Sequence, residues 1–264
     1  MKFFILTDLE GVAGVTSWRQ TGPEENKEAY QKACQWLTGE VNAAVAGILQ
    51  ADPEAEVIVW DGHGAGGIVI DALHPEARLI PRGFLRSPYT LDETYDGMLM
   101  VAQHAKAGTP FACLCHTYSS HSIYRYWLNG QEIGEIGLRG YVAGALGIPV
   151  IFVSGDQAAC EEATSLFPDV QTVAVKKALH QELAITLTPE KACSLICKGA
   201  ARAVQEIKKI KPVFPPPPYI FRAQFLTSAL TEQYCSLYRE LTRVDEFTVE
   251  VKGNNLIEVT RAFA

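Results

Sequence analysis

Six residues with metal-binding side chains stand where apolar runs end. Asp8 and Glu10 follow Phe3-Phe4-Ile5-Leu6-Thr7, His63 follows the run Glu56–Trp60, and His104 closes the run from Gly97. His116 closes the run from Phe111, and Glu135 opens a helical stretch after a turn. Two carboxylates one residue apart at a strand end are costly to hold together unless a proton or a cation compensates them. Carboxylates mixed with imidazoles suit zinc or another divalent transition metal. Two His and three carboxylates exceed what one catalytic zinc with an open position takes, and they suffice for a pair of ions if one carboxylate bridges. Asp8 is the natural bridge, being nearest the strand end, with Glu10 one pleat further along the same face. Any one of these placements is also what a solvated loop, a helix cap or an incidental histidine would show. The argument rests on several of them together, because parallel strands align their carboxyl ends at one rim, where open α/β sheets bind their ligands.

The elements that must bring these residues together alternate along the chain. Residues 2–8 read as a buried strand, 27–50 as a helix closed by Ala51-Asp52-Pro53, and 56–60 as a second strand leading into the glycine-rich Asp61–Gly67. Those glycines allow a sharp turn and close backbone approach, but the Lys-Ser/Thr ending of a phosphate-binding loop is missing. Residues 97–104 and 111–116 are expected to be a third and a fourth strand. Asn129-Gly130 is a tight-turn signal joining Ile123–Leu128 to the Glu132–Glu135 stretch as a hairpin. A helix over 134–146, a strand over 149–155 and a helix from Asp156-Gln157 complete an α/β fold: a mostly parallel sheet flanked by helices. From about residue 168 the character changes. A strand at 170–175, a helix announced by Thr188-Pro189, the rigid Pro215–Pro218, and alternating strands at 219–225 and 246–251 predict a smaller C-terminal α+β region. The expected division is a catalytic domain over 1–167 and that smaller region over 168–264.

The bulk composition restricts the function classes. With a net charge of −7 the chain has nothing with which to neutralise many phosphates, so nucleic acid is not an expected partner. Lys208-Lys209-Ile210-Lys211 reads as the cationic end of a helix. No segment is apolar enough to span a bilayer, and Asp8 and Glu10 interrupt the N-terminal apolar run where a secretory segment would not carry them. The seven cysteines are odd in number and scattered, with no second pair at zinc-knuckle spacing, and are expected to be buried thiols of a cytoplasmic protein.

Several motifs in register carry a family resemblance. Thr7-Asp8-Leu9-Glu10-Gly11, Asp61-Gly62-His63, His104 through Thr109, His116-Thr117, and Leu128 through Leu138 together resemble the M55 metallopeptidases, the D-aminopeptidase family. The resemblance runs in order from residue 5 to about residue 176 and includes Pro149–Asp156; the C-terminal third resembles the family only loosely. It implies a site of two zinc ions in which Asp8 bridges, Glu10 and His63 complete one ion, His104 and Glu135 complete the other, and His116 is the catalytic residue beside them. It also implies a ring-shaped homodecamer with its active sites facing an internal channel.

On this reading the chain is a metallo-aminopeptidase expected to hydrolyse the N-terminal residue of short peptides or amides of D configuration, through a metal-activated water assisted by His116. Glu132 competes with Glu135 as a ligand, although the Gly-Glu-Ile-Gly context favours Glu135. His121 is the alternative to His116, while His74 and His180 read as structural or surface residues. Asp61, Asp156 and Glu132 are candidates to hold a substrate ammonium group, and the loops at 17–28 and 84–96 are expected to shape the pocket. Two other readings remain open: a two-metal hydrolase of another class, a phosphoesterase or cyclic amidase, and a non-catalytic metal-binding scaffold.

Overall fold

Residues 3–6 bury every side chain, and they do so toward opposite sides of one sheet. Phe3 and Ile5 enter one hydrophobic core, Phe4 and Leu6 the other. The period-2 alternation of a strand thus feeds two apolar layers at once, as expected of a central parallel strand covered on both faces. The computed structural model describes residues 1–83 and 85–263. In chain order its elements are β1 (Lys2–Thr7), α1 (Lys27–Ala51), β2 (Glu56–Trp60), β3 (Ala77–Ile80), β4 (Gly97–Gln103), β5 (Ile123–Leu128), β6 (Gln131–Ile133), α2 (Glu135–Ala145), β7 (Val150–Asp156) and α3 (Gln157–Leu166). They continue with β8 (Gln171–His180), β9 (Leu183–Thr186), α4 (Pro189–Gln205), β10 (Tyr219–Phe225), α5 (Ser228–Leu237), β11 (Thr242–Arg243), β12 (Thr248–Gly253) and α6 (Leu256–Thr260).

A seven-stranded sheet has the order β3-β2-β1-β4-β7-β8-β9 and is parallel except for β9. The chain builds outward from β1 through β2 to β3 and then returns to place β4 on the other side of β1. The order therefore reverses between β1 and β4, the crevice where sheets of this kind accept ligands. One face is covered by α1 and α4, which pack so closely that a Cβ on Gly47 would lie 2.2 Å from the carbonyl oxygen of Cys197. Asn26 caps α1 by accepting from the Ala29 N–H, and Thr188 caps α4 through Lys191 N–H with Pro189 in the first turn. The other face carries α2 and a five-stranded antiparallel sheet, β11-β12-β10-β5-β6. No helix among the described residues is long and apolar enough to cross a membrane.

The parallel sheet, the hairpin of β5 and β6 around Asn129-Gly130, and the Thr188-Pro189 start of α4 agree with expectation. Three expectations are corrected. The run 111–116 is not a strand: the position beside β4 is taken by β7, and Phe111 and Leu114 adopt positive φ of 50° and 52°, outside the extended region of a regular ladder. Its apolar residues Ala112, Cys113 and Leu114 are buried as loop, and a short buried loop has the same hydrophobic signature as a short strand. The sheets do not divide at residue 167 either. β8, β9 and α4 extend the first sheet and its cover, whereas β5 and β6 pair with β10 in the second, so the two layers interleave in sequence. Finally, all seven cysteines are free, but only Cys34, Cys113 and Cys160 are buried; the other four are partly exposed at amphipathic or loop positions.

Candidate metal centre

Three adjacent parallel strands deliver the core of the site. Asp8 lies immediately after β1, His63 three residues after β2, and His104 immediately after β4. Asp8 is fixed to the sheet by its N–H on Val101 O at 3.0 Å, and its Oδ1 accepts from Leu9 N–H at 2.9 Å. Gly11 crosses β4 so closely that a Cβ there would sit 2.2 Å from backbone atoms of Ala102 and Gln103, which lets the chain carry Glu10 back over the rim. Glu135 opens α2, and His116 comes from the irregular segment between β4 and β5.

All five expected ligands and His116 converge. His63 Nδ1 lies 3.1 Å from Asp8 Oδ1 and 3.2 Å from Glu10 Oε2. His104 Nε2 lies 3.5 Å from Asp8 Oδ2 and 3.3 Å from Glu135 Oε1. The two oxygens of Asp8 therefore face two separate groups, as a bridging carboxylate must. His116 Nε2 is 4.0 Å from Glu135 Oε1, and its ring stacks on that of His104 at 4.0 Å between centroids. The ligand atoms form two clusters, Asp8–Glu10–His63 and His104–His116–Glu135, each within 4.8 Å. The His116 ring thus lies closer to the second group than a role merely beside the ions required.

The donor set fits a pair of divalent cations. Every one of the three imidazoles spends one nitrogen on a backbone carbonyl and turns the other toward carboxylates: His63 Nε2 on Thr21 O at 2.7 Å, His104 Nδ1 on Ala105 O at 2.9 Å, and His116 Nδ1 on Leu114 O at 3.0 Å. Backbone acceptors of this kind fix the tautomer and leave the inward nitrogen with a lone pair for a metal. Glu10 Oε2 and His104 Nε2 are buried without a hydrogen-bond partner, and Asp8, Glu10 and Glu135 are all nearly inaccessible. Three buried carboxylates, with Glu10 Oε2 and His104 Nε2 left unpartnered among them, call for positive charge.

Without metal, protons supply that charge. Burial opposes the charged form of His63, but the carboxylates of Glu10 and Asp8 outweigh it and hold its pKa well above the ordinary value. Burial likewise opposes the charged form of His104, and Glu135 and Asp8 overcome it, raising the pKa to about 10. Glu10 resists its burial through His63 and stays well below the usual carboxylate range. Glu135 resists it through Arg139 and His104, falling to about 2. His116 differs: burial and the neighbouring His104 push its pKa down.

A cavity of about 1320 Å³ opens onto this centre. Asp8, Glu10, His63, Glu135 and His116 line it, whereas His104 does not. Trp18, Thr21, Glu24 and Glu25 come from the expected 17–28 loop, and Leu85 and Tyr89 from the 84–96 loop, of which Phe84 lies outside the described residues. His121 is on the wall but belongs to neither ligand cluster; His74 and His180 neither line the cavity nor belong to a cluster. Glu132 does not compete with Glu135, being drawn to Lys106 and Arg125 at 3.5 Å each. None of the three acids expected to hold an ammonium group lines the cavity. Asp61 accepts from Gly67 and Ile68 N–H, and Asp156 is buried with its Oδ2 on Cys113 N–H. A loop-capping acid and a substrate-binding acid have the same local sequence, which is why sequence could not separate them.

Sequence reading missed Arg139. It pairs with Glu135 Oε2 at 2.9 Å and lies against the rings of Trp60 and Tyr118, 5.3 and 4.9 Å from their centroids. The signal was available: Glu135 and Arg139 stand four apart on one helix.

Comparison with known proteins agrees with this geometry. The D-aminopeptidase family Peptidase M55 matches the chain over residues 1–264. A D-aminopeptidase of Bacillus subtilis (strain 168) is 30% identical over 267 residues, covering 99% of this chain and 95% of the relative. A solved structure described as Zn-dependent D-aminopeptidase DppA from Bacillus subtilis, a self-compartmentalizing protease, superposes with a TM-score of 0.90 at 29% identity, covering 99% of this chain and 95% of that one.

Proposed function

The chain belongs to the M55 family of D-aminopeptidases, and from that premise we propose that it is a zinc-dependent aminopeptidase releasing the N-terminal residue of short peptides or amides of D configuration. The observation that carries the reading is one carboxylate, Asp8, facing a His–carboxylate group on each side at the wall of a single cavity. Asp8, Glu10 and His63 hold one zinc ion in this reading, and Asp8, His104 and Glu135 hold the second. Such a pair supplies a water of lowered pKa and a polarised scissile carbonyl.

The chain's own residues do the rest. His116 is the imidazole free to reach substrate: Leu114 O fixes Nδ1, the edge of Trp18 holds the ring at 5.4 Å between centroids, and Nε2 moves the proton to the leaving amine. Arg139 and the Tyr118 N–H, 2.8 Å from Oε1, hold Glu135 in place. Glu24 and Glu25 are the wall acids available to a substrate ammonium group, replacing the acids expected from sequence. The same reading includes assembly with further copies of this chain, for which the family resemblance gives a ring of ten. It also includes a cytoplasmic location, where seven free thiols persist.

Zinc content by mass spectrometry, with a panel of D- and L-aminoacyl amides and aryl phosphates, tests the proposal. Turnover of D-aminoacyl amides that chelator abolishes and zinc restores is expected. Preference for aryl phosphates or for L-aminoacyl amides overturns it.

Zinc loading is also expected to release protons. His63 and His104 are protonated at neutral pH in the metal-free protein and must be neutral to bind. His116, with its lowered pKa, contributes none. Each displaced proton makes apparent affinity rise by about tenfold per pH unit below the pKa concerned, so affinity climbs from pH 6 to pH 8. Calorimetric titration in buffers of different ionisation enthalpy measures the release, and heats independent of buffer contradict it.

A further inference from the structure

Behind the metal centre, outside the cavity, the loop that carries Glu10 closes on a buried ammonium group. Lys176, on β8, is 3% exposed. Its Nζ donates to the carbonyls of Glu10 and Val15, and to that of Val12 at 3.2 Å. A lysine this deeply buried normally pairs with a carboxylate; this one is spent on three backbone carbonyls of one loop, including that of a metal ligand. From the opposite side Glu40 of α1 accepts from Ala13 N–H at 2.8 Å, so the loop is held at both polarities.

Asp156 stands directly across from Lys176 in the parallel register of β7 and β8. It is fully buried, and its Oδ2 accepts from Cys113 N–H at 2.7 Å, three residues before His116. Oδ1 has no hydrogen-bond partner among the described residues; Lys176 makes no ion-pair contact with it, and burial lowers the lysine's pKa while the Asp156 charge across the strand pair works against that fall. One strand pair therefore reaches two loops that are about a hundred residues apart in sequence and that also touch directly, Cys113 Sγ lying 3.9 Å from Thr16 O. Neither residue lines the cavity or supplies an atom to either ligand cluster.

We propose that Lys176 and Asp156 are positioning residues: a buried pair of opposite charges that fixes the Glu10 loop and the His116 loop against one another, and so sets the metal-binding side and the proton-transfer side of the centre together. The proposal rests on the metal assignment above.

Lys176→Met keeps an unbranched, flexible side chain one atom shorter and removes the charge. Groups that orient metal ligands change affinity by about 10- to 100-fold, and a loss of that size is expected at the zinc group containing Glu10, with the His104–Glu135 group unaffected. Zinc titration against a competing chelator reads the two affinities separately. Asp156→Asn retains an acceptor for Cys113 N–H but not the charge; a fall in kcat of about tenfold or more is expected, with zinc content and KM unchanged, because misplacing a catalytic group costs rate before binding. Wild-type protein that takes up no zinc refutes the metal assignment itself. Wild-type zinc binding with both affinities unchanged, or both equally weakened, in folded Lys176→Met overturns the present proposal. If Lys176→Met does not fold, Asp156→Asn decides: an unchanged kcat, or a kcat that falls only with zinc content, overturns it.

Discussion

Asp8→Ala is expected to empty both zinc groups at once and to abolish turnover. Its two oxygens divide between the groups, Oδ1 at 3.1 Å from His63 Nδ1 and Oδ2 at 3.5 Å from His104 Nε2, and among the described residues no other carboxylate pairs with both histidines. The loss is not local to one ion, because each group falls from three protein ligands to two, and two ligands do not define a tetrahedral zinc site. Activity is expected to fall by about a thousandfold or more, since both the lowered water pKa and the polarised carbonyl go with the ions. Glu10→Gln provides the contrast. Glu10 approaches His63 but not His104, so this change is expected to remove one ion and spare the other. Zinc counted per chain after dialysis against a weak chelator separates the cases: none for Asp8→Ala, one for Glu10→Gln. Retention of the wild-type count by Asp8→Ala would remove Asp8 from its bridging position.

The site was legible in sequence to the extent that it is made by strand ends. Phe3–Thr7, Glu56–Trp60 and Gly97–Gln103 are recognisable as buried strands from their own residues, and parallel pairing forces their exits, Asp8, His63 and His104, to one rim. Glu135 was legible because a tight turn and a helix start bracket it. What could not be read is whatever depends on contacts between distant segments. The segment 105–122 takes its path from what surrounds it. Phe111, Leu114 and Tyr118 adopt positive φ although none is glycine, and Tyr118 N–H is committed to Glu135, Cys113 N–H to Asp156 and Leu114 O to His116. Local propensity therefore argued for a strand where tertiary contacts made a loop. The interleaving of the two sheets has the same origin: Phe221 pairs with Leu128 across most of a hundred residues, and nothing in either strand names its partner. Lys176 shows the limit most plainly. In sequence it is one of two adjacent lysines in an alternating strand, and only the fold reveals that one of them faces three carbonyls in the interior while Lys177 is exposed.

His116→Ala is expected to keep zinc and lose catalysis. Both its features point the same way. His116 lies on the cavity wall, which His104 does not, and its pKa is pushed down by burial and by His104, so the imidazole is neutral and able to take a proton at pH 7. Its distance of 4.0 Å from Glu135 Oε1 is the longest of the imidazole–carboxylate approaches, and Glu135 is otherwise held by Tyr118 N–H and Arg139. Removing the ring should therefore leave the second zinc group standing on Asp8, His104 and Glu135. General acid–base groups contribute about 10²- to 10⁴-fold, and a fall of that size in kcat is expected with near-unchanged KM and zinc content. Two measurements together decide the role. If zinc is lost along with activity, His116 is a ligand of the second ion rather than the proton carrier, as its membership of the His104–Glu135 cluster also permits. If zinc and activity both survive, the proton passes through another group on the wall, and His121 becomes the residue to replace next.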